Sequence, residues 1–215
     1  MNKENAIEAA RCLLDIKAVK LSPENPFTWA SGRKSPIYCD NRLTLSYPAI
    51  RTFIRQNFVS IVNEIFPDVD VIAGVATGGI AQGVLVAQEL GKPFVYVRPE
   101  AKSHGMKNQI EGDLKSGQSV VVIEDLISTG KSSLLAVDAL KDAGCFIKGM
   151  VAIFTYGLDV ADKNFKEKNV PLYTLTDYGT LIETAINEKY ISEKDMLSLR
   201  QWRENPEKWS EEHMD

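Results

Sequence analysis

Apolar residues along the chain follow two rhythms. Helical spacing comes first: between residues 4 and 18, Ile7, Ala10 and Leu14 share one face. It returns further on, where Ile50, Ile54, Phe58, Ile61 and Ile65 recur at helical intervals, with Pro48 suited to the first turn and Pro67 closing the run. Between these helices, residues 27–38 hold two short β-prone pieces around 31–36, which predicts a hairpin or extended flap. From residue 69 onward the pattern changes. Short apolar runs at 69–73, 94–97, 119–123 and 147–154 predict strands. They lack a period of two, so both faces are expected to be buried, as in a parallel sheet. Helices are predicted between them at 80–90, ended by Gly91, and at 131–143, ended by Gly144. Two more are predicted at 180–188 and 193–203, the latter with Ser192 and Asp195 as a capping pair. This alternation of strand and helix points to a doubly wound α/β fold. Residues 98–117 break the rhythm, and an unpatterned loop of that length is usually a lid or a binding loop.

Composition narrows the class. The length of 215 residues suits one α/β domain, and the chain shows no repeat or low-complexity segment. With 25 Lys and Arg against 29 Asp and Glu the net charge is −4, which argues against the basic stripe of a nucleic-acid or membrane-surface binder. The longest apolar runs, such as 120–123 and 150–154, are far too short to span a bilayer. Charged Lys3 and Glu4 follow Met1 where a signal peptide would have an apolar core. Cys12, Cys39 and Cys145 are odd in number and form no CxxC, and with only His104 and His213 there is no zinc ligand set. The expectation is a soluble, single-domain protein of a reducing compartment.

The densest chemical signal follows the run at 119–123. An apolar strand ends in Glu124 and Asp125, passes through Leu126 and Ile127, and turns at Ser128, Thr129 and Gly130 into a helix opened by Lys131 and Ser132. Free N–H groups at the helix start, with the Ser128, Thr129 and Ser132 hydroxyls, suit a phosphate dianion. Gly130 admits a close approach of the backbone. The two carboxylates would repel a phosphate but accept hydrogen bonds from ribose hydroxyls. One segment thus offers both ends of a ribose-5-phosphate grip. A Walker A loop is excluded, because Asp125 stands where its first glycine should be. A plain capped turn does not call for a second acid and four small polar residues. A third segment, Gly74 to Gly79, is a glycine-rich turn after the first core strand. It is not GxGxxG, and taken alone it reads as tight packing.

Residues 120–132 resemble the phosphoribosyl pyrophosphate (PRPP) motif of type I phosphoribosyltransferases. The loop then gains meaning. By composition alone Arg98, Lys102 and His104 sit in a solvated stretch balanced by Glu100, Glu111 and Asp113. Their order, Arg98-x3-Lys102-x-His104-Gly105 followed by Asn-Gln-Ile-Glu-Gly112, resembles the catalytic loop of the orotate phosphoribosyltransferase family, and residues 27–40 resemble that family's substrate flap. The resemblance runs from about residue 20 to residue 155. It implies a central, mostly parallel sheet flanked by helices, with a small N-terminal flap or hood (1–45) and a PRPP-binding core (69–155) in one domain.

The activity it implies is transfer of ribose 5-phosphate from PRPP to orotate, giving orotidine 5′-phosphate and pyrophosphate in pyrimidine biosynthesis. Lys102 and His104 would be catalytic. PRPP would be held by Arg98, Lys102, His104, Glu124, Asp125, Leu126, Ile127, Ser128, Thr129, Gly130, Lys131 and Ser132, and Ser128 would also face orotate. Mg²⁺ would be bound mainly through PRPP, with no metal site of the protein's own. The family further implies a cytoplasmic homodimer whose lid closes over the partner's site, with no nucleic-acid or membrane partner. Two rivals are a purine-type phosphoribosyltransferase and a non-catalytic PRPP-sensing regulator. The sequence departs from the enterobacterial-type members at Ala30, Gly78 and Pro99, where they carry Lys, and at Tyr156–Gly157, where they carry an orotate-contacting Arg. In the tail, Trp202 and Trp209 are read as packing residues, His213 as solvated, and residues 204–215 as a frayed end.

Overall fold

The computed structural model describes residues 2–29, 31–99 and 109–214, so Lys102 and His104 lie outside the described residues. Helix α1 (Lys3–Asp15) starts at Asn2, whose side chain accepts from the Glu4 N–H, and buries Ala9, Ala10, Leu13 and Leu14. Strands β1 (Val19–Leu21), β2 (Phe27–Thr28), β3 (Lys34–Ser35) and β4 (Ile37–Cys39) follow. The β2–β3 hairpin is the predicted flap, while β4 pairs with β1 in a second antiparallel ladder too short to register as a pattern. After a 3₁₀ turn at Asn41–Ser46 comes α2 (Pro48–Ile65), with Pro48 in its first turn as predicted.

The core alternates β5 (Val71–Val75), α3 (Gly78–Leu90), β6 (Phe94–Val97), β7 (Ile110–Glu111), β8 (Ser119–Ile127), α4 (Lys131–Asp142), β9 (Phe146–Thr155), α5 (Asp159–Glu167), β10 (Leu172–Asp177) and α6 (Tyr178–Asn187). Helices α7 (Met196–Glu204) and α8 (Pro206–Glu212) finish the chain. The six strands lie in the order β10-β9-β8-β5-β6-β7, parallel except for β7. Successive side chains of β8 go to opposite faces: Val121 and Ile123 enter one hydrophobic cluster, Val120 and Val122 the other. Both faces are covered, which is why this strand reads as a continuous apolar run.

Several expectations are corrected. The first core strand starts at Val71, not 69, because Asp70 turns aside to accept from the Ser119 N–H (2.8 Å) and hydroxyl (2.7 Å). Part of the 98–117 loop is structured, since β7 adds to the edge of the sheet beside β6. Helix α5 and strand β10 fall in a stretch where the sequence pattern predicts no element. The tail is not frayed. Trp209 is only 2% exposed in α8, and the Lys34 N–H of β3 donates to the buried Ser210 hydroxyl at 2.8 Å. His213 is not free in solvent either, because its ring stacks on Trp209 with centroids 3.7 Å apart. Trp202 and Trp209 are packing residues, as read.

Candidate active site

The chain runs from β5 outward to β6 and then returns to lay β8 on the other side of β5. The crevice between the carboxyl ends of β5 and β8 is therefore a topological switch point, the place where open α/β sheets receive ligands. Strand β8 outruns its neighbour there: its ladder to β5 ends at Ile123, whereas its ladder to β9 continues to Ile127. Glu124 and Asp125 lie on this overhang, inside a strand that continues past them to Ile127.

Helix α3 enters the gap that β5 leaves. A Cβ on Gly79 would come within 2.3 Å of the Ile123 carbonyl oxygen, and one on Gly78 within 2.3 Å of an Asp125 carboxylate oxygen. The glycines of the 74–79 turn thus let a helix start press against β8, and the Asp125 carboxylate occupies the space a side chain at 78 would fill. That position favours the negative charge, because the helix N-terminus carries partial positive charge. From the hood side, buried Asn41 donates from Nδ2 to the Asp125 carbonyl at 2.6 Å.

The two acids differ. Glu124 is 5% exposed; it accepts from the Ser133 hydroxyl at 2.8 Å through one oxygen and from the Asp125 N–H at 2.9 Å through the other. Burial, reinforced by the Asp125 charge, pushes its carboxyl well above the usual carboxylate range. Asp125 is half-buried and opens toward the crevice. Beyond the pair, the Ile127 side chain lies in one hydrophobic cluster and Leu126 packs against the other, so both side chains are committed to packing. The loop Ser128–Thr129–Gly130 is tied down by the Asn164 amide, which donates to the Thr129 carbonyl at 2.9 Å. Gly130 starts α4 with φ +74, and a Cβ there would strike the Phe165 ring at 2.6 Å. Lys131 and Ser132 are exposed in the first turn of α4, and Thr129 is exposed beside them.

Arg98 stands at the end of β6, across the switch point. Its N–H donates to the Gln109 carbonyl at 2.9 Å, its carbonyl accepts from the Gln109 amide at 3.1 Å, and its guanidinium lies 3.6 Å from Glu111. Residues 98 and 109 therefore close the stem of the segment that carries Lys102 and His104.

The flap supplies a wall. Trp29 stacks on Tyr156 with centroids 5.7 Å apart and meets Trp202 edge-on at 5.9 Å. At Gly157, where the sequence offers no arginine of its own, the guanidinium of Arg203 arrives from α7 and donates to the carbonyl at 2.9 Å. Ser128, Thr129, Trp29, Lys34 and Arg203 share a cavity of about 490 Å³. Arg203 had no local signal in the sequence, and only the docking of the tail reveals it. Among the described residues no cluster of three or more His, Cys, Asp or Glu gathers as a metal site, and no helix is long and apolar enough to cross a membrane.

A phosphoribosyl transferase domain model matches residues 45–188. The orotate phosphoribosyltransferase of Porphyromonas gingivalis is 56% identical over 197 residues, 92% of this chain and 94% of that one. The chain belongs to the orotate phosphoribosyltransferase family. The relative from Listeria innocua is 56% identical over 202 residues, 94% of this chain and 97% of its own. Among solved structures, the orotate phosphoribosyltransferase from Aeropyrum pernix matches with a TM-score of 0.74 at 28% identity, over 85% of this chain and 99% of its own. Membership makes the chain a pentosyltransferase of pyrimidine biosynthesis with the type I phosphoribosyltransferase fold. The segment in β8 and the start of α4 that resembles the PRPP motif of type I phosphoribosyltransferases falls inside the matched domain, whereas the flap, α7 and α8 fall outside it.

Proposed function

We propose that the crevice between β5 and β8 carries out the family's reaction as follows. N1 of orotate gives up its proton to solvent and bonds to C1 of PRPP while the C1–O bond breaks, and pyrophosphate leaves with the electron pair, giving orotidine 5′-phosphate. The observation that carries this reading is the β8 overhang, which sets the half-buried Asp125 and the Ser128–Ser132 turn side by side at the switch point. Asp125 accepts hydrogen bonds from the ribose hydroxyls. The N–H groups and hydroxyls at the start of α4 hold the 5′-phosphate, and Ser128 reaches the base. Glu124, satisfied by Ser133 and the Asp125 N–H, fixes the strand end and takes the second ribose contact.

Arg98, Lys102 and His104 neutralise the charge that grows on pyrophosphate, an interaction strongest in the transition state. One open carboxylate beside a buried one suits Mg²⁺ that brings most of its ligands with the substrate, and the metal then supplies further neutralisation of the pyrophosphate. The chain works as one domain, as a cytoplasmic homodimer whose lid segment closes over the partner's site.

The test is pyrophosphate release from PRPP and Mg²⁺ with each of orotate, adenine, hypoxanthine, xanthine and uracil. Release with orotate, and with no purine, is expected. Preference for a purine would transfer the chain to the purine class, and no release with any base would leave a PRPP-binding regulator.

A further inference from the structure

The cavity beside Ser128 holds a cation that the rest of the protein does not use. Arg203 sits near the end of α7, and its one described hydrogen bond runs to a neutral carbonyl, that of Gly157. Nothing separates the guanidinium from that backbone: a Cβ on Gly157 would lie 3.6 Å from Nη2 and 3.7 Å from Nε. Among the described residues Arg203 has no carboxylate partner. Its neighbour on the cavity wall, Arg33, is already paired with Glu207 at 2.5 Å. A guanidinium carries five N–H donors, and the carbonyl takes one.

The position is fixed by packing. Trp202, the preceding residue, is 1% exposed and wedged among Trp29, Tyr156 and Tyr178. The Tyr178 hydroxyl also donates to the Leu199 carbonyl at 2.9 Å, one turn earlier in α7. Helix α7 therefore delivers Arg203 to one place at the rim. The rim is not uniformly positive, since Asp159 and Glu204 also edge the cavity. Diffuse charge would not draw an anion there, whereas an aimed fork of donors would. The grip on the sugar phosphate, Glu124 to Ser132, lies inside the domain match at 45–188, whereas Trp29 and Arg203 lie outside it. The residues that handle the shared half of the reaction and those around the variable half are thus separated along the chain.

We propose that Arg203 is the specificity-determining residue for the base: it binds the exocyclic carboxylate of the pyrimidine through a bidentate pair, with Ser128 at the ring's other side. The pairing is the strong, directional kind, matched to a planar carboxylate. This inference rests on the reading of the Ser128 end as the base subsite.

The experiment compares two ligands that differ only in that carboxylate, orotidine 5′-phosphate and uridine 5′-phosphate. Their binding to wild type, Arg203→Ala and Arg203→Lys is measured by calorimetry, alongside steady-state kinetics with orotate and PRPP. Arg203→Ala should weaken orotidine 5′-phosphate about 10–100-fold, as expected for loss of hydrogen bonds to a charged group. Affinity for uridine 5′-phosphate and the KM for PRPP should stay within about 2-fold, and Arg203→Lys should recover part of the loss. Equal losses for both nucleotides would mark Arg203 as structural and overturn the proposal, as would unchanged binding of orotidine 5′-phosphate in an active enzyme. Wild-type protein that releases no pyrophosphate with orotate would instead overturn the functional reading beneath it.

Discussion

At the scale of single residues, two adjacent carboxylates at the end of β8 sit in opposite surroundings. Asp125 opens to the crevice, while Glu124 is enclosed, and burial with the Asp125 charge raises its pKa well above normal. A carboxyl whose folded-state pKa is raised stabilises the fold fully below its unfolded pKa, and that contribution is lost as pH rises through the folded value. Glu124→Gln holds the neutral form at every pH and keeps an acceptor for the Asp125 N–H. The ligand-free variant should therefore match wild type only below the ordinary carboxylate range, at about pH 4 or less, and melt higher as pH rises, by about 2–4 °C for each kcal/mol relieved. Thermal melts across a pH series check this, and parallel curves for the two proteins would refute it. The acid pair was legible in the sequence because two acids after an apolar run have no packing explanation. Their inequality was not, since it depends on Ser133 and on the depth of the strand end.

At the scale of elements, the flap and the tail form one unit. Strand β3 meets α8 through the Lys34–Ser210 hydrogen bond and the Arg33–Glu207 pair, and Trp29 meets Trp202. The exposed ion pair contributes about 0–1 kcal/mol, so packing of the partly buried Trp29 on the buried Trp202 carries this junction. Trp209→Ala should cost about 3–5 kcal/mol by cavity formation, and it should raise the KM for orotate more than that for PRPP, because the flap borders the base end. Chemical denaturation and two-substrate kinetics measure both; an equal rise in the two KM values would separate the tail from base binding. Helix α8 escaped the sequence reading because it is short and buries only Trp209 and Ser210, too few positions to set a period. Strand β10 escaped because an edge strand with one half-covered flank mixes Thr and Tyr with Leu. The long helix α2 and strands β6, β8 and β9 were legible, since their burial repeats over several residues in a row.

At the scale of the whole molecule, the sheet order places the site, and the proposed dimer completes it. Lys102→Ala removes a lid cation, and Asp125→Asn weakens the sugar grip. With a lid acting in trans, a mixed dimer holds one site with both defects and one with neither. Random re-assortment of equal amounts makes about half the dimers mixed, so about a quarter of all sites should regain full activity. Titrating one inactive variant into the other tests this, and a mixture shown to contain mixed dimers yet gaining no activity would exclude a trans lid. The alternation of strands and helices was enough to predict a doubly wound parallel sheet. The crossing of the two ends of the chain was not, because no local pattern records a contact between residues 34 and 210.

That crossing has a consequence for biosynthesis of the chain itself. Lys34 and Ser210 are 176 positions apart, and the hydrogen bond between them forms only after the ribosome has added the residues that separate them. Closing so long a span is inexpensive, because the entropy of closure grows only with the logarithm of length. Its timing, however, is fixed by translation, which adds about 5–20 residues each second. A nascent chain that has reached α6 already contains every strand of the sheet and the turn proposed to hold the phosphate, yet it lacks the partner that seats its hood. On the proposed role of Arg203, selectivity for the base is thus acquired after the sugar-phosphate segment as the polypeptide is made.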